Sequence, residues 1–171
     1  NNATKKGLPT LLEALAQLPK DIFLVIVGSA YPEIKWRSQV AALGLEDRIY
    51  FQGVLDDMTL AYTAADLLVH PTLEDTFGMV VLEAMAHAVP AIVSAEQYCG
   101  ISAELSHLKN AWILQDPLDN NALKDAIDKS LESKTHEAVS QQAMAWAGTQ
   151  DWHHLALAQE ALYYDVVKLK T

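Results

Sequence analysis

The sequence predicts a single α/β domain with a doubly wound parallel sheet. Short apolar runs rich in β-branched residues alternate with segments of helical periodicity. No repeat, low-complexity segment or linker divides the 171 residues, and that length is typical of one domain. Strands separated by single helices need crossover connections, which favour parallel pairing with helices on both faces of the sheet. We therefore expect one domain over residues 1–171.

The strands are predicted from the apolar runs. Residues 22–27 form a continuous β-branched and aromatic run closed by Gly28, which is typical of a strand buried on both faces. Shorter runs of the same kind predict further strands over 48–52, 66–70, 90–94 and 111–114.

The helices are predicted from periodicity and end signals. Five leucines between residues 8 and 18 recur at helical spacing, and Pro19 ends that run. Asp56 or Asp57 can cap a short helix over 56–65, and Asp119 is a good N-cap for the next long one. Further helices are expected over 34–43 and 77–88, then from about residue 119 to 168, where the last helix carries an apolar stripe.

Composition excludes several classes of protein. The 22 acidic and 12 basic side chains give a formal net charge of −10, which argues against a nucleic-acid-binding surface and against a polybasic membrane patch. The single Cys99 fits a reducing compartment, and no histidine has the spacing of a metal site. The apolar runs are too short to cross a bilayer, and no secretory signal is recognised. We expect a cytoplasmic protein that holds no metal.

Residues 71–86 form the most informative segment. In doubly wound sheets, ligands bind beyond the carboxyl ends of the strands. A strand ends at His70, the next loop carries Glu74 and Asp75, and a helix begins near Gly78. The free amides at the start of that helix are suited to anionic oxygens, and a glycine allows a ligand to approach the backbone.

Glu83 lies one to two turns into the same helix, and helical side chains lean toward the N-terminus. Asp75 and Glu83 would thus offer two carboxylates to one polyhydroxylated ligand, since carboxylates accept several hydrogen bonds. The simpler interpretation is that Glu74 and Asp75 cap the helix and Glu83 is solvated. A single glutamate in a helix that looks largely buried argues against it.

This segment resembles the signature of family 4 retaining glycosyltransferases, which have the two-domain GT-B fold. That signature is a glutamate, seven residues, a second glutamate with Ala-Met-Ala, and a Gly-x-Pro before an aliphatic strand. Here Asp75 stands at the first position, Glu83 at the second and Ala88 at the glycine, while Glu74 is one residue out of register. The dipeptide Cys99-Gly100 resembles the Cys-Gly of the lipopolysaccharide core glucosyltransferase branch of this family. Other segments of the chain are similar, in the same order, to further landmarks of the family: residues 6–7, 24–28, 48–54, 62–66, 97–104 and 151–163.

The resemblance implies roles for named residues. Glu83 would hold the donor ribose, Asp75 the donor sugar, and Lys6 the leaving diphosphate; these are the expected catalytic residues. Further contacts with the sugar nucleotide are expected from Gly28, Val54, Phe77, Gly78, Met79 and Val80.

The resemblance also implies an activity and partners. We expect the donor-binding half of a bacterial enzyme that transfers a hexose from a nucleotide-diphosphate sugar to an envelope polysaccharide or lipopolysaccharide acceptor, without a cofactor. A first strand before Lys6 and an acceptor domain are expected outside these residues, so the isolated chain should be inactive. Peripheral membrane association is expected through that acceptor domain, and dimerisation through the exposed stripe of the last helix.

Two alternatives remain open at this level. One is half of a nucleotide-sugar 2-epimerase, which shares the GT-B architecture. The other is a non-catalytic GT-B-like domain that binds protein, as favoured by Asp75, by Ala88 and by Ser29-Ala30-Tyr31 in place of a glycine-rich turn. His70 is expected to be a packed or hydrogen-bonded histidine, and Cys99 an inert buried thiol.

Overall fold

The structure, a computed structural model, describes residues 3–28 and 33–168. The Ser29–Tyr31 turn lies outside the described residues. Helices and strands alternate as predicted until three helices follow one another, and a 3-10 helix over Gly100–Glu104 is an addition. In chain order the elements are α1 (Leu8–Ala16), β1 (Leu24–Val27), α2 (Glu33–Ala42), β2 (Ile49–Gly53), α3 (Thr59–Thr63), β3 (Leu68–His70), α4 (Met79–Ala86), β4 (Ala91–Ser94), β5 (Trp112–Leu114), α5 (Asn120–Ser130), α6 (Ser133–Ala147) and α7 (Trp152–Lys168).

All strand pairs are parallel, as predicted, but the described strands form two sheets rather than one. β1 pairs with β2, with Leu24 opposite Ile49. A second sheet has the order β3-β4-β5, with Val69 opposite Ile92 and Val93 opposite Ile113. The carboxyl ends of β3, β4 and β5 therefore lie at one edge of that sheet.

Helices cover both faces of the three-stranded sheet, which confirms the doubly wound arrangement. Ile92 on β4 packs into a cluster with the apolar sides of α1 and α5. Its neighbours Ala91 and Val93 point to the opposite face and pack with α4 and α6. Alternate residues of one strand thus belong to two separate layers of the core.

The expectation that residues 22–27 are buried on both faces is wrong. Leu24 and Ile26 pack into the core beside α1, but Val25 is 55% exposed. On the paired strand, Ile49 is buried and Tyr50 is exposed. The reason is that α4 and α6 pack over the three-stranded sheet and leave one face of β1 and β2 open.

The end signals located both α5 and α3, but α3 is shorter than the predicted 56–65 and has Met58 at its N-cap position. Asp119 accepts hydrogen bonds from the amides of Asn121 and Ala122 at the start of α5. Of the two candidate caps of α3, Asp57 accepts from the amide of Thr59. Within the described residues, no helix has both the length and the apolarity needed to cross a bilayer.

Candidate functional site

The segment before α1 is joined to the loop after β3. The amide of Leu73 donates to the carbonyl of Lys5 at 2.7 Å, and Thr72 Oγ1 donates to the same oxygen at 3.1 Å. Gly7 has a φ of 77°, and a Cβ there would lie 1.9 Å from the carbonyl oxygen of Pro71. Only glycine permits this approach. The contact places the Lys6 side chain beside Asp75.

Lys6, Asp75 and His70 form a hydrogen-bonded network. Lys6 Nζ donates to Asp75 Oδ2 at 2.5 Å, and His70 Nε2 lies 3.0 Å from the same oxygen. The other oxygen of Asp75 accepts from the amide of Phe77 at 3.3 Å. Three different chain segments therefore fix this carboxylate. His70 is hydrogen-bonded, as expected from the sequence.

Burial and charge set the protonation states of this network. Burial would raise the pKa of Asp75, but hydrogen bonds from Lys6 and His70 outweigh burial and lower that pKa. Burial lowers the pKa of His70, and the Asp75 carboxylate opposes this only in part. At neutral pH the network therefore holds an ammonium, a carboxylate and a neutral imidazole, whose Nε2–H donates to Asp75.

The start of α4 presents backbone amides, as predicted. Gly78 has a φ of 94°, and a Cβ there would lie 2.7 Å from Cys99 Sγ. Among the described residues, the amides of Gly78, Met79 and Val80 have no hydrogen-bond acceptor. The side chains of Phe77, Met79 and Val80 are exposed around them. Unpaired amides at a helix start are suited to anionic oxygens.

The loop after β4 supports this helix start. The amide of Asp75 donates to the carbonyl of Tyr98 at 2.8 Å, and the amide of Ile101 donates to the carbonyl of Phe77 at 2.7 Å. Cys99 lies between them and is fully buried. Burial and then the Asp75 carboxylate raise the pKa of Cys99 to about 11, so the thiol stays protonated at neutral pH. Cys99 is the inert buried thiol that the sequence suggested.

Glu83 is exposed, so the expectation of a buried environment for it is wrong. Val81, Ala84 and Met85 form the buried side of α4, and Glu83 lies on the other side of the helix. One of its oxygens, Oε2, accepts a hydrogen bond from Tyr62 Oη at 2.7 Å. The carboxylate is thus neither buried nor freely solvated.

The structure groups some of the predicted site residues and separates others. Lys6 and Asp75 lie together beside the start of α4, whereas Asp75 and Glu83 share no partner among the described residues. Gly28 lies at the end of the other sheet, where its amide donates to the carbonyl of Gly53 at 2.6 Å. Val54 follows there and is exposed.

Two features of the site were missed by sequence reasoning. Tyr62 precedes Glu83 by 21 positions, so no local pattern connects the two. His70, Asp75 and Cys99 bring three ligand-type atoms within 4.8 Å of one another, in the part of the chain that the structure describes. Lys6 already pairs with this carboxylate and the thiol is protonated, so the cluster is occupied by its own hydrogen bonds.

Comparison with known proteins decides the family. The family described as glycosyl transferases group 1 matches residues 2–146. The chain belongs to the group 1 glycosyl transferases. The resemblance to the GT-B glycosyltransferase family is thereby confirmed, and a lipopolysaccharide glucosyltransferase is among the relatives, in agreement with the suspected branch.

Relatives of this group 1 glycosyl transferase chain include enzymes named for the transfer of different sugars. The lipopolysaccharide glucosyltransferase WaaG of Escherichia coli (strain K12) is 29% identical over 156 residues, which cover 88% of this chain and 41% of WaaG. A GDP-mannose-dependent alpha-mannosyltransferase of Corynebacterium glutamicum (strain ATCC 13032) is 33% identical over 174 residues, covering 98% of this chain and 38% of that enzyme. The chain thus spans about two fifths of the length of these curated relatives.

A solved structure shares the fold of the whole group 1 domain. Anabaena Alr3699/HepE, crystallised in complex with UDP, superposes with a TM-score of 0.82 at 25% identity. The match covers 96% of this chain and 46% of HepE. The α/β domain described above therefore corresponds to somewhat less than half of that glycosyltransferase structure.

Proposed function

We propose that this chain is the donor-binding domain of a retaining glycosyltransferase that takes a hexose from a nucleotide-diphosphate sugar. The observation that carries the proposal is the placement of the Lys6 ammonium beside the unpaired amides of α4, with Asp75 bonded to both segments. A cation and free amides are the groups that stabilise a diphosphate.

Lys6 and the amides supply charge stabilisation where the reaction needs it. As the glycosidic bond to the donor breaks, negative charge grows on the leaving diphosphate. The ammonium of Lys6 has three N–H donors, so it can keep its bond to Asp75 and still donate to a phosphate oxygen. The amides of Gly78, Met79 and Val80 donate to further oxygens of the donor.

The remaining residues position the rest of the donor. Glu83 accepts hydrogen bonds from the ribose hydroxyls, and Asp75 accepts from hydroxyls of the sugar while it stays bonded to Lys6. Phe77 lies at the same helix start, Gly28 belongs to the turn on the phosphate side, and Val54 lies on the side where the base binds. The donor is the substrate, and the proposed site uses no metal or other cofactor.

The acceptor and the setting of the reaction belong to the proposal as well. We propose an envelope polysaccharide or lipopolysaccharide acceptor in a bacterium, which the similarity to WaaG supports. An acceptor domain outside these residues closes the site, and the reaction takes place in the cytoplasm or at the inner face of its membrane. Without that domain we expect no transfer, because closure supplies much of the rate in such sites.

Calorimetric titration of the chain with UDP, UDP-glucose and GDP-mannose tests the proposal. We expect at least one of them to bind. Lys6→Met should weaken the binding of the nucleoside diphosphate by about tenfold, because a charge-assisted hydrogen bond is lost. Uridine, which lacks phosphates, should be insensitive to the substitution.

Lys5→Met is the matched control, because the adjacent Lys5 ammonium pairs with the exposed Glu74 carboxylate instead. Absence of binding by all three nucleotides at millimolar concentration would contradict the proposed function. Equal losses in the two lysine variants would remove the assigned role of Lys6.

A further inference from the structure

We propose that Tyr62 is a positioning residue for Glu83: its hydroxyl holds one carboxylate oxygen so that the other faces the ribose of the donor. This inference rests on the proposed function, in which Glu83 binds ribose. It adds a residue from α3 that does not itself touch the nucleotide.

The Tyr62 ring is held rigidly. Only 5% of the residue is exposed, and it packs in a small core cluster with Met58, Leu68, Ala84 and Val89. The ring of His87 lies 5.2 Å away at an interplanar angle of 30°. His87 is itself fixed, because its Nδ1 lies 2.9 Å from the carbonyl oxygen of Glu83. The hydroxyl therefore projects from the core to one defined place.

Glu83 needs such a support because it is exposed. A solvated glutamate has three rotatable side-chain bonds, and fixing them for binding costs conformational entropy. The 2.7 Å hydrogen bond from Tyr62 Oη to Oε2 restricts these rotamers before a ligand arrives. Oε1 remains available to accept from a neighbouring pair of hydroxyls.

The phenol is a dependable donor. Burial, followed by the hydrogen bond to Glu83, raises the pKa of Tyr62 well above its ordinary value. The hydroxyl therefore keeps its proton throughout the neutral range and offers it to the carboxylate. Among the described residues, no other side chain bonds to the Glu83 carboxylate.

The test combines one conservative variant with two ligands. Tyr62→Phe removes the hydroxyl and keeps the buried ring, so the packing with Ala84 and Val89 is preserved. The ligands are UDP and 2′,3′-dideoxy-UDP, which lacks the two ribose hydroxyls but retains the base and both phosphates. Calorimetry gives four affinities, and thermal unfolding checks that the variant is folded.

We expect Tyr62→Phe to weaken the binding of UDP by about threefold to tenfold, which is the usual effect of one lost hydrogen bond. It should leave the affinity for dideoxy-UDP unchanged, and Glu83→Gln should show the same selectivity for the ribose. Tyr163→Phe, on the exposed face of α7, is the matched control and should alter neither affinity.

Two results would overturn the inference while leaving the proposed function intact. One is that Tyr62→Phe binds UDP as tightly as the unsubstituted chain does. The other is that it loses equal affinity for UDP and dideoxy-UDP, as a general disturbance of the fold would cause. Failure of the unsubstituted chain to bind UDP, GDP or their sugars would instead refute the proposed function itself.

Discussion

Two opposing effects act on the pKa of His70, which lies at the end of β3. Burial favours the neutral imidazole, and the Asp75 carboxylate favours the imidazolium. Burial is the larger effect, so the pKa of the folded state lies below the ordinary 6.5. Because the unfolded chain then takes up the proton first, the free energy of unfolding should fall as the pH drops below that value.

Titration of the histidine ring protons by NMR measures this directly, with His70→Gln to assign the signal. We expect a midpoint for His70 below 6.5. Asp75→Asn should lower it further, since that carboxylate is what opposes burial. A midpoint at or above the ordinary value would mean that the ion pair, and not burial, controls this imidazole.

Asp75 illustrates what a single residue type decides. It is one methylene shorter than the glutamate of the family signature, and its Oδ2 is held by Lys6 and His70. The sequence located the carboxylate after β3 from the strand and helix signals around it. It did not indicate the pair with Lys6, because 69 positions separate the two residues.

At the level of elements, the entry into α1 depends on close contact with the loop after β3. Gly7→Ala would place a methyl group against the Pro71 carbonyl and force a positive φ on alanine. We expect a loss of about 3 kcal/mol or more in the free energy of unfolding, since the strain and the collision add.

Gly44→Ala is the control for that change, because Gly44 has a φ of 66° with nothing within 4 Å of the added methyl. It should cost about 1 kcal/mol from backbone strain alone. Urea denaturation of both variants gives the two values. Equal losses would show that the contact between Gly7 and Pro71 is unimportant for folding.

For the whole molecule, the notable surface is the exposed apolar side of α7. The side chains of Leu162, Tyr163 and Val166 are exposed there, on the stripe that the sequence predicted. An apolar patch of this kind favours association. We expect the isolated chain to self-associate, with a sedimentation coefficient that rises with protein concentration.

Leu162→Lys should reduce this self-association, because it places a charge within the apolar stripe. Leu118→Lys, at a similarly exposed leucine outside α7, should not change it. A sedimentation coefficient that is independent of concentration in the unsubstituted chain, or equally altered in both variants, would refute association through α7.

The sequence by itself determined the α/β class, the order of the elements and the location of Asp75 and Glu83 around α4, because periodicity and end signals are local properties of the chain. Only the tertiary structure decided that Lys6 and His70 hold Asp75, that Tyr62 holds Glu83, and that one face of β1 stays open. Those features depend on contacts between segments far apart in sequence, and such contacts are fixed by how the helices and sheets pack.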